Sequence, residues 1–262
     1  MKYLYKSVFN NTLFILIIGL VPALVSAIET RIDVRVLSRG AKFIGTSMGG
    51  AEIVLRDADT GEIYARGVTA GTTGSTEIIM EQTHKRGDVV ADDNAAVYSA
   101  RIDLAEPRRI EVSALGPLAQ RQAANKVTAT QWVVPGKHLT GGNGWLLEIP
   151  GFAVDILDPP AHQFNTGLPY SLDVRANVVK MCGCPITDGG LWDANDYEVK
   201  GMVKYNGKMI TEFDLNYTGE ISQFAGSLQL DQPGSYDISV YAYDPHTGNT
   251  GLDRTTINLG KD

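Results

Sequence analysis

Two cysteines separated by one glycine are the residues of this chain with the clearest capacity for chemistry. They are Cys182 and Cys184 in the stretch KMCGCPI, Lys180 to Ile186, and no other cysteine occurs among the 262 residues. Two thiolates at positions i and i+2 can hold one soft metal ion. The same thiols can close a disulfide, because the glycine between them lets the backbone bend enough to bring the two α-carbons into range.

The metal hypothesis favours Cu(I). Thiolate and thioether ligands select this ion, and Met181 is the thioether next to Cys182, with Met202 and Met209 as further candidates. Zinc would require two more ligands, which the neighbouring sequence does not supply. We therefore predict a metal site formed by Cys182, Cys184 and Met181, completed by a methionine that folding brings close or by a partner protein.

Two other uses of the cysteines stay open. A strained bridge has a raised reduction potential, so the pair would serve thiol–disulfide exchange, and a positive charge on Lys180 would favour the thiolate. Alternatively, the cysteines pack as small apolar groups or form a local bridge without turnover. A bridge across one residue closes almost no loop, which makes stabilisation of the fold a poor explanation for it.

The strand before the cysteines predicts where they lie. Apolar and polar residues alternate from Tyr170 to Val178, which is the period of a half-buried strand. Continuing this alternation would bury the charge of Lys180, so the strand is expected to end or bulge there, and Gly183 and Pro185 favour a loop. Both thiols are therefore predicted to be reachable in a loop at one end of a β-sandwich.

Similar alternation recurs along the chain and predicts an all-β fold. In the second half, Asn206-Gly207 is a tight-turn signal, after which Met209, Phe213 and Leu215 are expected on the inward face. The first half is less regular, and residues 118–126 fit either a short helix or a strand. We predict two tandem β-sandwich domains, residues 28–150 and 151–262, with the boundary near Pro150-Gly151.

Two stretches carry a resemblance to known domains. GAEIVLRDADTGEIYARGVT, residues 50–69, resembles the transthyretin-like and carboxypeptidase-regulatory-like modules of secreted proteins. GLPYSLDVRANV and PGSYDISVYAYDPHTGNTG, residues 167–178 and 233–251, resemble bacterial immunoglobulin-like domains. The resemblance implies the sandwich architecture and a non-enzymatic role, and it supplies no functional residue.

The N-terminus predicts export. Residues 1–27 combine Lys2 and Lys6, an apolar run and the small residues Val25-Ser26-Ala27, which is typical of a secretory signal peptide. Its removal takes away two lysines and no acids, so the formal net charge changes from −7 to −9. Nucleic acid is an improbable partner for such a chain. We expect a periplasmic or extracellular protein without a membrane span after cleavage, and with a protein partner in the cell envelope.

Other candidate motifs are weaker. Gly45-Thr46-Ser47-Met48-Gly49 matches the letters of a nucleophile elbow, but a strand is predicted after the serine where a helix is needed. The segment Asp188 to Glu198 is rich in acids without the spacing of an EF-hand, so solvated acids and a calcium site both stay open. We predict a non-enzymatic accessory or binding protein that holds Cu(I), with a thiol–disulfide exchanger or a structural, adhesive module of a surface assembly as alternatives.

Overall fold

The computed structural model describes residues 26–260, and almost all of its regular structure is β-strand. Most of the predicted signal peptide, residues 1–27, lies outside the described residues. Among residues 26–260, no helix is long and apolar enough to cross a membrane. Three short helical turns lie at Thr46–Met48, Glu77–Glu81 and Ala194–Asp196. The strands are β1 Ile28–Ser38, β2 Glu52–Asp57, β3 Ile63–Val68, β4 Tyr98–Leu104, β5 Arg108–Gly116, β6 Asn125–Val133, β7 Trp145–Ile149, β8 Phe152–Asp158, β9 Gln163–Asn165, β10 Tyr170–Lys180, β11 Glu198–Tyr205, β12 Lys208–Asp214, β13 Asn216–Tyr217, β14 Gln223–Leu230, β15 Gly234–Tyr243 and β16 Thr250–Leu259.

The first sheet pair contains a three-stranded sheet in the order β4-β1-β7 and a four-stranded sheet in the order β3-β2-β5-β6. Strand β1 is antiparallel to β4 and parallel to β7. Alternate residues of both sheets face one core, because each strand presents every second side chain to the same side. Ile32, Ile53, Ile110 and Ile149 are fully buried members of that core.

The second sheet pair contains a four-stranded sheet in the order β13-β14-β10-β8 and a five-stranded sheet in the order β12-β11-β15-β16-β9. Its core again takes alternate side chains from both sheets, with Val174 and Val178 from β10 facing Ile238 and Val240 from β15 among the buried residues. The prediction of an all-β fold built of β-sandwiches is confirmed.

The turn predicted between β11 and β12 is confirmed, whereas the orientation predicted for a residue of β12 is not. Asn206 and Gly207 have φ angles of 48° and 78° and join β11 to β12, as the dipeptide indicates. The inward placement of Met209 is wrong, because its side chain is 51% exposed. The register between β11 and β12 shifts between Val203 and Lys204, and a one-residue shift moves a strand's side chains to the other face. Residues 118–124 form turns, and β6 begins at Asn125.

The two sheet pairs contact each other around the end of β10. Ala153 and Met181, from the second half of the chain, pack in the core of the first sheet pair, and Ala41 packs in the core of the second. The indole N–H of Trp192 donates to the carbonyl oxygen of Gly40 at 3.0 Å. All strands of the first pair precede residue 150 and all strands of the second follow it, while the division into domains 28–150 and 151–262 stays a prediction.

Candidate functional site

The cysteine turn, residues 180–185, begins at the last residue of β10. The backbone N–H of Gly183 donates to the Lys180 carbonyl oxygen at 2.7 Å, and the Lys180 N–H donates to the Cys184 carbonyl oxygen at 3.1 Å. Gly183 has a φ of 77°, in the left-handed region that favours glycine. This reversal places the α-carbons of Cys182 and Cys184 5.4 Å apart, and their sulfurs form a disulfide. The strand end predicted at Lys180 and the loop that follows are therefore correct.

The accessibility expected for the cysteines is wrong. Cys182 is 1% exposed and Cys184 is 5% exposed. The turn lies at the end of a sandwich, as predicted, but residues of the first sheet pair cover it. Such a cover comes from the packing of two distant parts of the chain, and periodicity within one strand carries no information about it.

Met48 covers the turn at Gly183. A Cβ atom built on Gly183 would lie 2.8 Å from the Met48 sulfur and 2.9 Å from its Cγ atom. The helical turn Thr46–Met48 fixes this methionine: its N–H donates to the Gly45 carbonyl oxygen, and its own carbonyl oxygen accepts from the Ala119 N–H, each at 3.0 Å. A thioether from the first sheet pair is thus held against the residue between the two cysteines.

The predicted ligand Met181 occupies a different position. Its side chain is fully buried in the core of the first sheet pair, 3.6 Å from a Cβ atom built on Gly151. Met202 and Met209 lie on β11 and β12 of the second sheet pair. Sequence reasoning missed Met48, although it stands in the G-x-S-x-G letters, since nothing local links that segment to the cysteines. The metal assignment itself stays a prediction.

A cavity of about 460 Å³ opens beside the disulfide. The Nζ atom of Lys42 donates to the Thr76 Oγ1 atom at 2.9 Å at its wall. Within residues 26–260, no carboxylate lies within 4.0 Å of this ammonium group. The cysteine cavity is lined by residues of both sheet pairs: Lys42, Ser47, Thr73, Thr76, Cys182, Gly183, Cys184, Pro185, Thr187, Leu191 and Trp192.

Lys180 is buried, and the second sheet pair encloses its charge. Its Nζ atom lies 3.7 Å from the Asp244 Oδ2 atom, and 4.3 Å and 4.4 Å from the ring centres of Phe152 and Tyr197. Desolvation lowers the pKa of Lys180 from 10.5 to about 8, against the attraction of Asp244, which raises it. The sequence argument that β10 must end to keep this charge out of the core was wrong. Lys180 is the last residue of β10 and is buried, because an acid and two aromatic faces receive its charge.

Asp244 is itself fixed by hydrogen bonds. Burial alone would raise the pKa of this carboxyl group, but the Thr247 hydroxyl, the His246 N–H and the charge of Lys180 act against burial, and the net result is a lowered pKa. The pair therefore carries one positive and one negative charge at neutral pH. Lys180, Asp244, Phe152 and Tyr197 are called the lysine cage below.

The acidic segment before β11 uses its side chains for local structure. Asp193 accepts from the backbone N–H of Asn195 at 3.0 Å and caps the helical turn Ala194–Asp196. The Asn195 amide donates to Asp188 at 2.6 Å and to Asp193 at 2.8 Å. Across the described part of the chain, no group of three or more His, Cys, Asp or Glu side chains is arranged to hold a metal ion. These hydrogen bonds give Asp188 and Asp193 a structural use.

Comparisons with known proteins identify no family for this chain. No protein-family model matches it, and no curated protein matches it. Among solved structures, the fibronectin(III)-like modules of Clostridium thermocellum CbhA align at a TM-score of 0.30 and 12% identity, over 80% of this chain and 78% of that one. Titin Ig tandem domains A164-A165 align at a TM-score of 0.24 and 8% identity, over 90% and 98%. A chimeric titin Z1Z2 tandem aligns at 0.24 and 10%, over 90% and 92%. The fold assignment rests on the sheets described above.

Proposed function

We propose that this chain is a non-enzymatic accessory protein of the periplasm or extracellular space that binds Cu(I) through the reduced Cys182–Cys184 pair. Its two sheet pairs serve as the scaffold that encloses the sulfurs. The observation that carries the proposal is the position of Met48, whose sulfur lies against Gly183 between the two cysteines. Two thiolates and one thioether form a ligand set that favours Cu(I) over harder ions.

The ligand chemistry requires the reduced form. A disulfide has no thiolate, so the bond must accept two electrons, and both thiols must lose their protons when the metal binds. Burial of the turn then becomes useful, since cysteines that are 1% and 5% exposed would keep a bound Cu(I) ion largely out of contact with bulk water. Zinc fits less well, because the described residues offer no cluster of nitrogen, oxygen and sulfur ligands to complete four positions.

Two features of the sequence extend the proposal. The signal-peptide pattern of residues 1–27 supports an exported compartment, and an accessory protein that carries Cu(I) would need an envelope protein with which to exchange it. The resemblance of residues 50–69 to transthyretin-like modules belongs to the proposal as well, as the more specific description of the first sheet pair.

Met181 is the alternative third ligand, as the residue adjacent to Cys182.

The test is an anaerobic titration of the reduced mature protein with Cu(I) in the presence of a chromogenic Cu(I) chelator. We expect one Cu(I) ion retained per chain, and none retained by the Cys182→Ser/Cys184→Ser variant. Met48→Leu preserves apolar volume but removes the thioether, and we expect the dissociation constant to rise at least about ten-fold, in the range found when metal sites lose supporting groups.

Matched variants make the outcome decisive. Met209→Leu removes a thioether that is 51% exposed on β12 and should leave Cu(I) affinity unchanged. Met181→Leu tests the alternative: a loss there, with none in Met48→Leu, would transfer the third position to Met181. Equal Cu(I) retention by the oxidised protein, or transfer of all Cu(I) from the reduced protein to the chelator, would refute copper binding at this pair.

A further inference from the structure

We infer that the cysteine cavity is a binding site for a small thiol that also carries a carboxylate, and that this thiol reduces the Cys182–Cys184 disulfide. The inference goes beyond copper binding, since it concerns the oxidised protein and holds whether or not the reduced pair takes up a metal. Three properties of the cavity support it: its access to the disulfide, its charge and its size.

The cavity gives a reductant access to sulfurs that are otherwise buried. Both cysteines and the glycine between them line it, although the side chains are only 1% and 5% exposed. A cavity of about 460 Å³ falls within the usual range for small-molecule sites. A molecule of a few residues' size has room in a cavity of this volume beside the disulfide.

The charge of the cavity selects an anionic ligand. Lys42 is half-buried at the wall, and Thr76 accepts a hydrogen bond from its ammonium group. None of the carboxylates between residues 26 and 260 forms an ion pair with it. Ser47, Thr73 and Thr187 also line the cavity, and their hydroxyl groups are further possible donors. A carboxylate would be bound by these groups, while a second cation would be repelled by Lys42.

Two apolar side chains also line the cavity. Leu191 is 50% exposed, and the ring of Trp192 lines the same space. The indole N–H of Trp192 is already used by the Gly40 carbonyl oxygen, so its ring contributes an apolar face and no free donor. A ligand whose carboxylate reaches the cationic wall at Lys42 and whose aliphatic part contacts Leu191 and Trp192 fits these lining residues.

The reaction is a two-step exchange. The thiolate of the first ligand molecule attacks one protein sulfur, forms a mixed disulfide and releases the other cysteine as a thiolate, which takes up a proton. A second ligand thiolate then attacks the sulfur of the bound ligand, which releases the second cysteine. Two small thiols are oxidised to their disulfide, and the protein disulfide gains two electrons and two protons. Cys184 is the more exposed of the two, and we assign the first attack to its sulfur.

The first experiment compares reductants. The oxidised mature protein is treated with glutathione, with uncharged 2-mercaptoethanol or with cationic cysteamine, and disulfide loss is followed by alkylation and mass spectrometry. Rates are divided by the thiolate concentration and by the rate for an exposed model disulfide. We expect glutathione to be the fastest reductant on this scale, with its advantage falling as salt is added. Equal relative rates for the three thiols would overturn the inference.

Variants of Lys42 test the cationic wall. Lys42→Gln should reduce the relative rate with glutathione about three- to five-fold, the effect of one partly exposed charge pair, and leave the rate with 2-mercaptoethanol unchanged. Lys42→Arg should preserve the preference, and Lys208→Gln on the exposed strand β12 should have no effect. A uniform rate increase in Lys42→Gln for every thiol would show that the variant merely opens the fold, and would count against the cationic wall.

Single-cysteine variants test the site of attack. In Cys182→Ser, the remaining Cys184 should form a mixed disulfide with oxidised glutathione, detected as a mass increase of one glutathione unit. The corresponding reaction in Cys184→Ser should be much slower. The reverse order would overturn the assignment to Cys184, and failure of both variants to react under native conditions would overturn access through the cavity. These outcomes are independent of the copper titration, which uses protein already reduced.

Discussion

The lysine cage makes the stability of this protein depend on pH in an unusual direction. Desolvation lowers the pKa of Lys180 to about 8, whereas the unfolded chain returns it to 10.5. Between these two values the unfolded state binds more protons than the folded state, so the free energy of unfolding rises with pH. Below the folded pKa, both states are protonated and the full cost of burying the charge is present.

The size of the effect follows from the two pKa values. A difference of one pKa unit is worth about 1.4 kcal/mol, so full deprotonation of folded Lys180 would relieve about 3 kcal/mol of burial cost. Raising the pH from about 7 to about 9.5 should increase the free energy of unfolding by about 2 kcal/mol. The cage also contains Asp244, whose lowered pKa places its titration below this interval. Several tyrosines have raised pKa values in the folded state, and they lower the stability only above the pKa of an unfolded tyrosine, near 10. The hydrogen bond to Glu212 raises the pKa of Lys200, so this lysine titrates above the interval as well.

The assay is urea unfolding of the oxidised protein at several pH values between about 7 and 9.5. Lys180→Met is the test variant, because methionine retains most of the apolar length and removes the titrating group. We expect the wild-type unfolding free energy to rise by about 2 kcal/mol and the variant curve to be flat over the same interval. A wild-type curve that is flat or falls with pH, or a variant that keeps the same slope, would refute the assignment of this proton to Lys180.

Three further predictions concern the cysteine turn and its cover. Gly183→Ala should lower the free energy of unfolding by about 2 to 4 kcal/mol, since it adds left-handed strain and an overlap with Met48. Gly207→Ala is the control, because Gly207 has a similar φ of 78° and no atom lies within 4 Å of a Cβ built there. In urea unfolding this control should lose only the strain energy, about 1 to 2 kcal/mol, and equal losses of stability in the two variants would contradict the overlap with Met48. Reducing the disulfide should cost less than about 2 kcal/mol in the same assay, because it closes a very short loop, and a larger loss would show that it supports the fold. Trp192→Phe should cost about 1 to 2 kcal/mol in thermal unfolding, as the Gly40 carbonyl oxygen loses its donor, while an unchanged midpoint would show that water replaces the indole.

The sequence predicts elements whose cause is local. The alternation from Tyr170 to Val178 requires only that one face of a strand be buried, and β10 has that burial pattern along its length. Asn206-Gly207 determines its own turn, because both residues tolerate positive φ. The orientation of Met209 was beyond such reasoning, since it depends on a register shift in the pairing of β11 with β12.

The candidate site was predictable only in the half that the cysteines supply. Their spacing and the end of β10 place the turn, but Met48 and Lys42 come from a segment more than 130 residues earlier, and only the packing of the two sheet pairs brings them to it. The same packing changes what the turn can do. An exposed Cys-Gly-Cys loop would exchange with any thiol, whereas a covered one reacts with molecules that fit the cavity and match its charge. In the two proposals above, thiol access and completion of the Cu(I) ligand set depend on one feature, the contact between the sheet pairs, so a variant that separates them should lose thiol selectivity and Cu(I) retention together.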